Sequence, residues 1–139
     1  MRKYFILLAF TIMIAATALS CQDANRIQYD MYYANGRDLY IQHCQNCHGA
    51  KGEGLAALAP PLTDTVYLKE NKSKIACFIK NGLSDTITVQ GVKYDGKMPA
   101  ENFANIDIAQ LTVYITNTFG NKQGNYTQEQ VAADLAACK

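Results

Sequence analysis

The 139-residue sequence contains no tryptophan, only two histidines and three prolines, and its charges almost cancel, with 13 basic residues against 12 acidic. Each scarcity excludes something. Without a basic excess the chain lacks the electrostatic footprint of a nucleic-acid binder. Arg2 and Lys3 belong to a leader described below, and without them 11 basic and 12 acidic residues remain, a net charge of −1. There is no internal repeat and no low-complexity tract, so solenoid, collagen-like and disordered architectures do not apply. The longest apolar stretch, Tyr4 to Leu19, is sixteen residues, short of the ~20 a membrane-spanning helix needs. What remains is a composition 49% hydrophobic, suited to one compact domain with its own core. Five cysteines against two histidines is the unusual ratio.

Residues 1–20 read as an export signal: Arg2 and Lys3 form a basic start, and Phe5 to Leu19 an apolar run ending in small residues. The leader closes on Ala18-Leu19-Ser20-Cys21, which resembles a bacterial lipobox whose cysteine becomes the lipidated first residue. Ala18 stands where a leucine is usual, and ordinary cleavage near Ala16-Thr17-Ala18 or before Cys21 is the alternative. An exported chain meets oxidising conditions, where an odd thiol needs a fate. Lipidation of Cys21 leaves the others even in number. Residues 21–32 are expected to be a tether and 33–139 the folded domain.

Within that domain lies His43-Cys44-Gln45-Asn46-Cys47-His48-Gly49. Cys44, Cys47 and His48 form C-x-x-C-H, the attachment signature of c-type haem. Two thiols three positions apart on a helical turn can each form a thioether to one edge of a porphyrin, and the next residue then sends an imidazole beneath the iron. A thioredoxin-like C-x-x-C requires a βαβ setting, which is missing here. A structural zinc site requires four ligands, and only these three and a distant cysteine are at hand.

An axial histidine leaves a sixth position to fill. His43 sits on the same helix as the attachment site and cannot reach the opposite side. Met1 and Met13 are in the leader, and Met31 precedes the attachment helix. Met98 is left, held extended by Pro99 and fifty positions beyond His48. A lone methionine is ordinarily core filler, and it is the elimination of the others that singles out Met98. Cys77 and Cys138 are the remaining pair. Export and even parity favour a disulfide between them, with two separate buried residues as the alternative.

These residues, with Gly36 and Tyr40, Gly52-x-Gly54, Ala59-Pro60-Pro61-Leu62, Val89-Gln90-Gly91-Val92-Lys93-Tyr94-x-Gly96-x-Met98-Pro99 and a final aromatic helix ending Phe119-Gly120-Asn121, make the chain resemble the class I monohaem cytochrome c family. Phe119 stands where relatives often carry tryptophan. The resemblance implies an all-α cytochrome c fold, about four to five short helices around one covalent haem c. It implies that the Pro60 carbonyl accepts the His48 Nδ1 proton (a stiff Pro60-Pro61 turn being the alternative), that Tyr94 is among the haem-binding residues, and that the first and final helices cross through Leu39 and Tyr40. Short helices are expected over 66–70 and 72–81, the second stopped by a left-handed Gly82 cap. A hairpin is expected around Gln90-Gly91, a helix from an Asp107 cap through Thr118, and a last helix opened by a Thr127/Gln130 capping box.

The implied function is one-electron transfer in an exported respiratory, dehydrogenase or reductase chain, with iron between His48 and Met98 and no catalytic residue. Its partners would be redox proteins such as a periplasmic dehydrogenase, reductase or terminal oxidase, with the chain on the periplasmic side and held to the membrane by a lipid anchor. Lys51, Lys93 and Lys97 could steer an acidic partner, or be ordinary solvated lysines. The competing readings are a haem peroxidase or gas sensor with a displaceable Met98, and a haem-free zinc or disulfide module.

Overall fold

The computed structural model describes residues 2–20 and 24–138. Its elements, in order, are α1 (Arg2–Ser20), α2 (Ala24–His43), α3 (Gln45–His48), α4 (Thr65–Glu70), α5 (Lys72–Asn81), β1 (Ile87–Val89), β2 (Val92–Tyr94), α6 (Asn105–Thr116) and α7 (Gln128–Ala136). The chain divides into two units after Met31. The first contains α1, whose Phe5, Leu8, Phe10 and Ile12 are exposed. Among the described residues no helix is long and apolar enough to cross a membrane. The lipidation expected at Cys21 falls on a position outside the described residues.

The second unit, 32–139, is helical apart from one hairpin. The segment expected as a tether is helical from Ala24 onward, as part of an α2 that runs to His43. Its polar residues are competent helix formers, and an Arg26–Asp30 pair one turn apart at 3.1 Å braces the exposed face. The domain end of α2 buries Tyr32, Gly36 and Tyr40, spaced four apart on one stripe. Gly36 is there because of what it touches: a Cβ would lie 2.0 Å from the Gln110 carbonyl oxygen on α6. Only a residue without a side chain lets the two helices approach so closely.

Helix α6 is the centre of the domain. Ile108, Ala109 and every residue from Leu111 to Thr116 are buried, as a helix apolar on all sides requires. Asp107, read from sequence as the N-cap, is instead the third helical residue. Ala104 occupies the cap, and its N–H donates to Asp107 Oδ2 at 3.2 Å. The helix closes at Thr116, so Thr118 lies beyond it, where its hydroxyl donates to the Tyr114 carbonyl. Tyr40, Tyr114 and Phe119 pack ring to ring at 5.3–5.4 Å from Tyr40, and Tyr33 joins through Tyr114 at 5.2 Å.

The shorter elements follow their local chemistry. Asp64 caps α4 by accepting from the Val66 and Tyr67 amides. Thr127 and Gln130 form the expected capping box at the start of α7. Strands β1 and β2 pair antiparallel with Val89 opposite Val92. The two residues between them, Gln90 and Gly91, have φ of 51° and 78°, the left-handed pair a two-residue hairpin turn demands. Helix α7 lies against α5 and α6, buries Val131, and is tied to α5 by a Cys77–Cys138 disulfide.

Candidate functional site

The α2–α3 junction sets the site. The Cys44 N–H donates to the Tyr40 carbonyl at 2.9 Å and the His48 N–H to the Cys44 carbonyl at 2.9 Å, so Cys44, Cys47 and His48 occupy one helical turn. Cys44 is half-buried and Cys47 exposed, and neither is in a disulfide. Burial, then the nearby Glu101 and Cys47, push the Cys44 thiol up to about 12. Such surroundings keep the thiol uncharged at neutral pH.

His48 is held from behind. Its Nδ1–H donates to the Pro60 carbonyl at 3.0 Å. A carbonyl can only accept, so this bond fixes the tautomer and leaves the Nε2 lone pair as the ring's one donor site for a metal. Burial holds the imidazole below its ordinary pKa, with the Pro60 bond opposing. The ring is therefore kept in the neutral form a metal ligand requires.

Cys44, Cys47, His48 and Met98 all line one cavity of about 370 Å³. Its walls are largely aliphatic: Leu55, Leu58, Leu62 and Leu68 on one stretch, Ile75 and Ile79 from α5, Val89 from the hairpin, and Leu111 and Ile115 from α6. Pro60 and Tyr94 line it too, with Tyr94 buried. Met98 is half-buried and its backbone forms a two-way bridge with Leu83: Leu83 N–H to Met98 O at 3.0 Å and Met98 N–H to Leu83 O at 2.9 Å. The other histidine lines the same cavity, at its edge. His43 pairs with Glu101 at 3.5 Å and stacks edge-on against Phe103 at 4.9 Å.

Two further wall residues were not singled out in the sequence. Tyr67 and Asn71 line the cavity from α4 and its end, where Asn71 Nδ2 donates to the Tyr67 carbonyl. A tyrosine and an asparagine one turn apart gave no signal distinct from a solvated helix face. The approach of Leu83 to Met98 was equally hidden, because it joins segments fifteen positions apart in sequence through backbone atoms alone.

An apolar cavity with two unpaired thiols and a histidine of fixed tautomer along one edge matches the donor set of a covalently attached porphyrin. The family model described as Cytochrome c matches residues 33–133.

The chain belongs to the cytochrome c family.

That family binds covalent haem c, typically one per domain, and transfers electrons with redox partner proteins. No curated protein sequence matches the chain. The cytochrome's residues fit the group. Cys44 and Cys47 would hold it as thioethers, His48 Nε2 would ligate the iron, and the aliphatic walls would keep water from it.

Proposed function

We propose that this cytochrome c is an exported one-electron carrier with His48 and Met98 as axial ligands, serving a respiratory, dehydrogenase or reductase chain. The observation that carries the reading is that a neutral, oriented His48 and the Met98 thioether line the same aliphatic cavity. The haem supplies a one-electron iron couple when bound. Pro60 orients the imidazole and raises its basicity through the Nδ1 bond. A Met98 thioether on the iron favours the ferrous state. The leucine and isoleucine walls disfavour the additional positive charge of the ferric state, so both act to raise the potential. With His48 and Met98 both holding the iron, no coordination position would be left for oxygen or peroxide.

Exposed Lys51, Lys93 and Lys97 are a weak lure for an acidic partner at low salt. A periplasmic dehydrogenase, reductase or terminal oxidase is the kind of partner proposed, with lipidated Cys21 keeping the chain at the membrane. Replacing Cys21 by serine is expected to move the mature protein from the membrane fraction to the soluble one, as read by a haem stain of both fractions; retention in the membrane would exclude the lipid anchor.

The ligation is tested on the haem-loaded protein by Met98→Ala. The weak red-edge absorption of a methionine–iron(III) bond is expected in the ferric wild type and absent in the variant. The potential is expected to fall by on the order of 0.1 V or more, within the roughly 0.8 V range axial ligands command. Immediate carbon monoxide binding by the reduced wild type at neutral pH would instead favour a peroxidase or gas-binding role with a displaceable Met98.

A further inference from the structure

The segment that carries Met98 is fastened to the end of α5 more thoroughly than its short length requires. Beyond the two-way Leu83–Met98 bridge, the Glu101 N–H donates to the Ile79 carbonyl at 3.0 Å. Lys80 Nζ reaches Asn102 Oδ1 at 3.3 Å and the Phe103 carbonyl at 2.8 Å. At the centre of this seam is Gly82. Its φ of 73° and ψ of −177° are not the left-handed helical cap that its position suggests; they fall in a region open essentially to glycine alone. A Cβ at Gly82 would stand 2.6 Å from the Met98 carbonyl oxygen and 2.9 Å from the Ala100 amide nitrogen. Those neighbours are backbone, so relief requires the Met98 segment itself to move.

We propose that Gly82 and Leu83 form a positioning clamp that holds Met98 at the iron, so that a side chain at position 82 turns a closed electron carrier into a haem protein open to external ligands. The inference rests on the His48/Met98 reading above. Holding the methionine in place raises its effective concentration at the iron without altering the sulfur. Helix α5 is a firm base for this: Ile75, Ala76 and Ile79 are buried, and the Cys77 disulfide fastens the helix to α7.

The test compares four haem-loaded proteins: wild type, Gly82→Ala, Met98→Ala and Gly124→Ala. Gly124 is the control because its φ is also positive, at 76°, while a Cβ there meets nothing within 4 Å. In Gly82→Ala the ferric methionine–iron band is expected to drop by at least half. Carbon monoxide is expected to bind the ferrous form at least tenfold faster than in wild type, with the potential moving toward that of Met98→Ala. Gly124→Ala is expected to keep all three wild-type values. A Gly82→Ala protein indistinguishable from wild type, beside a Met98→Ala protein that has lost the band, would overturn the clamp alone. Equal losses in Gly124→Ala would also overturn it, and a Met98→Ala protein with an unchanged spectrum would remove both the clamp and the ligation.

Wild-type protein supplies a second measurement should Gly82→Ala fail to accumulate. When imidazole displaces the methionine, the Leu83 and Met98 amides are expected to lose hydrogen-exchange protection together while the Val113 amide in α6 keeps it. Continued protection of Leu83 and Met98 would refute the clamp.

Discussion

Tyr126 shows how much one side chain can fix. It is buried, its hydroxyl donates to Asp134 on α7, and Lys72 lies 5.8 Å over its ring. Burial, and then the Asp134 carboxylate, hold the phenol well above its usual range. A raised phenol pKa means the fold favours the protonated form. Its contribution is therefore complete below the unfolded value of about 10 and is lost as pH climbs above it. Tyr126→Phe is expected to lower stability by about 1–2 kcal/mol at pH 7 and to shrink the loss between pH 8 and pH 11, both read from urea midpoints of the helical signal. At this scale the C-x-x-C-H motif and the Thr127 cap were legible, since each depends on residues close in sequence; Met98 was picked out by elimination, and it lines the same cavity as Cys44, Cys47 and His48. The Asp107 misplacement had a local cause. Asp serves either as an N-cap or in the first helical turn, and only the backbone shows which.

Among the elements, Gly36 lets α2 approach the α6 backbone, and a disulfide ties α5 to the chain just after α7. Gly36→Ala sets a methyl against a backbone carbonyl on α6, so the helices must part or shift. A stability loss of about 1–3 kcal/mol, of the kind produced by overpacking, is expected in chemical denaturation. The Cys77–Cys138 bridge closes a loop of sequence separation 61. On the chain-entropy model, replacing both cysteines by serine is expected to remove roughly 4 kcal/mol, with thermal unfolding as the measurement. Helix boundaries near strong caps, such as α7, were readable from sequence. The early start of α2 was not, because a run of polar residues without Gly or Pro is compatible with tether and helix alike.

For the whole molecule, the legible part is the family outline: a C-x-x-C-H motif early, a methionine late, short helices between them and a buried helix after. The parts that stayed hidden are those made by through-space encounter. Examples are the seam between Gly82 and Met98, the His43–Glu101 pair at the cavity's edge, and the Tyr67–Asn71 wall. No periodicity announces a backbone meeting a backbone. The family match ends at residue 133, before Cys138, so the second half of the bridge lies past the segment that defines the family. In a chain shortened by its last two residues, with Cys21 lipidated and Cys44 and Cys47 bound to haem as proposed, Cys77 would be left as the one free sulfhydryl. That single handle sits on the helix whose Phe78 and Ile79 line the cavity, and it would let the protein be wired to a gold electrode in one defined orientation.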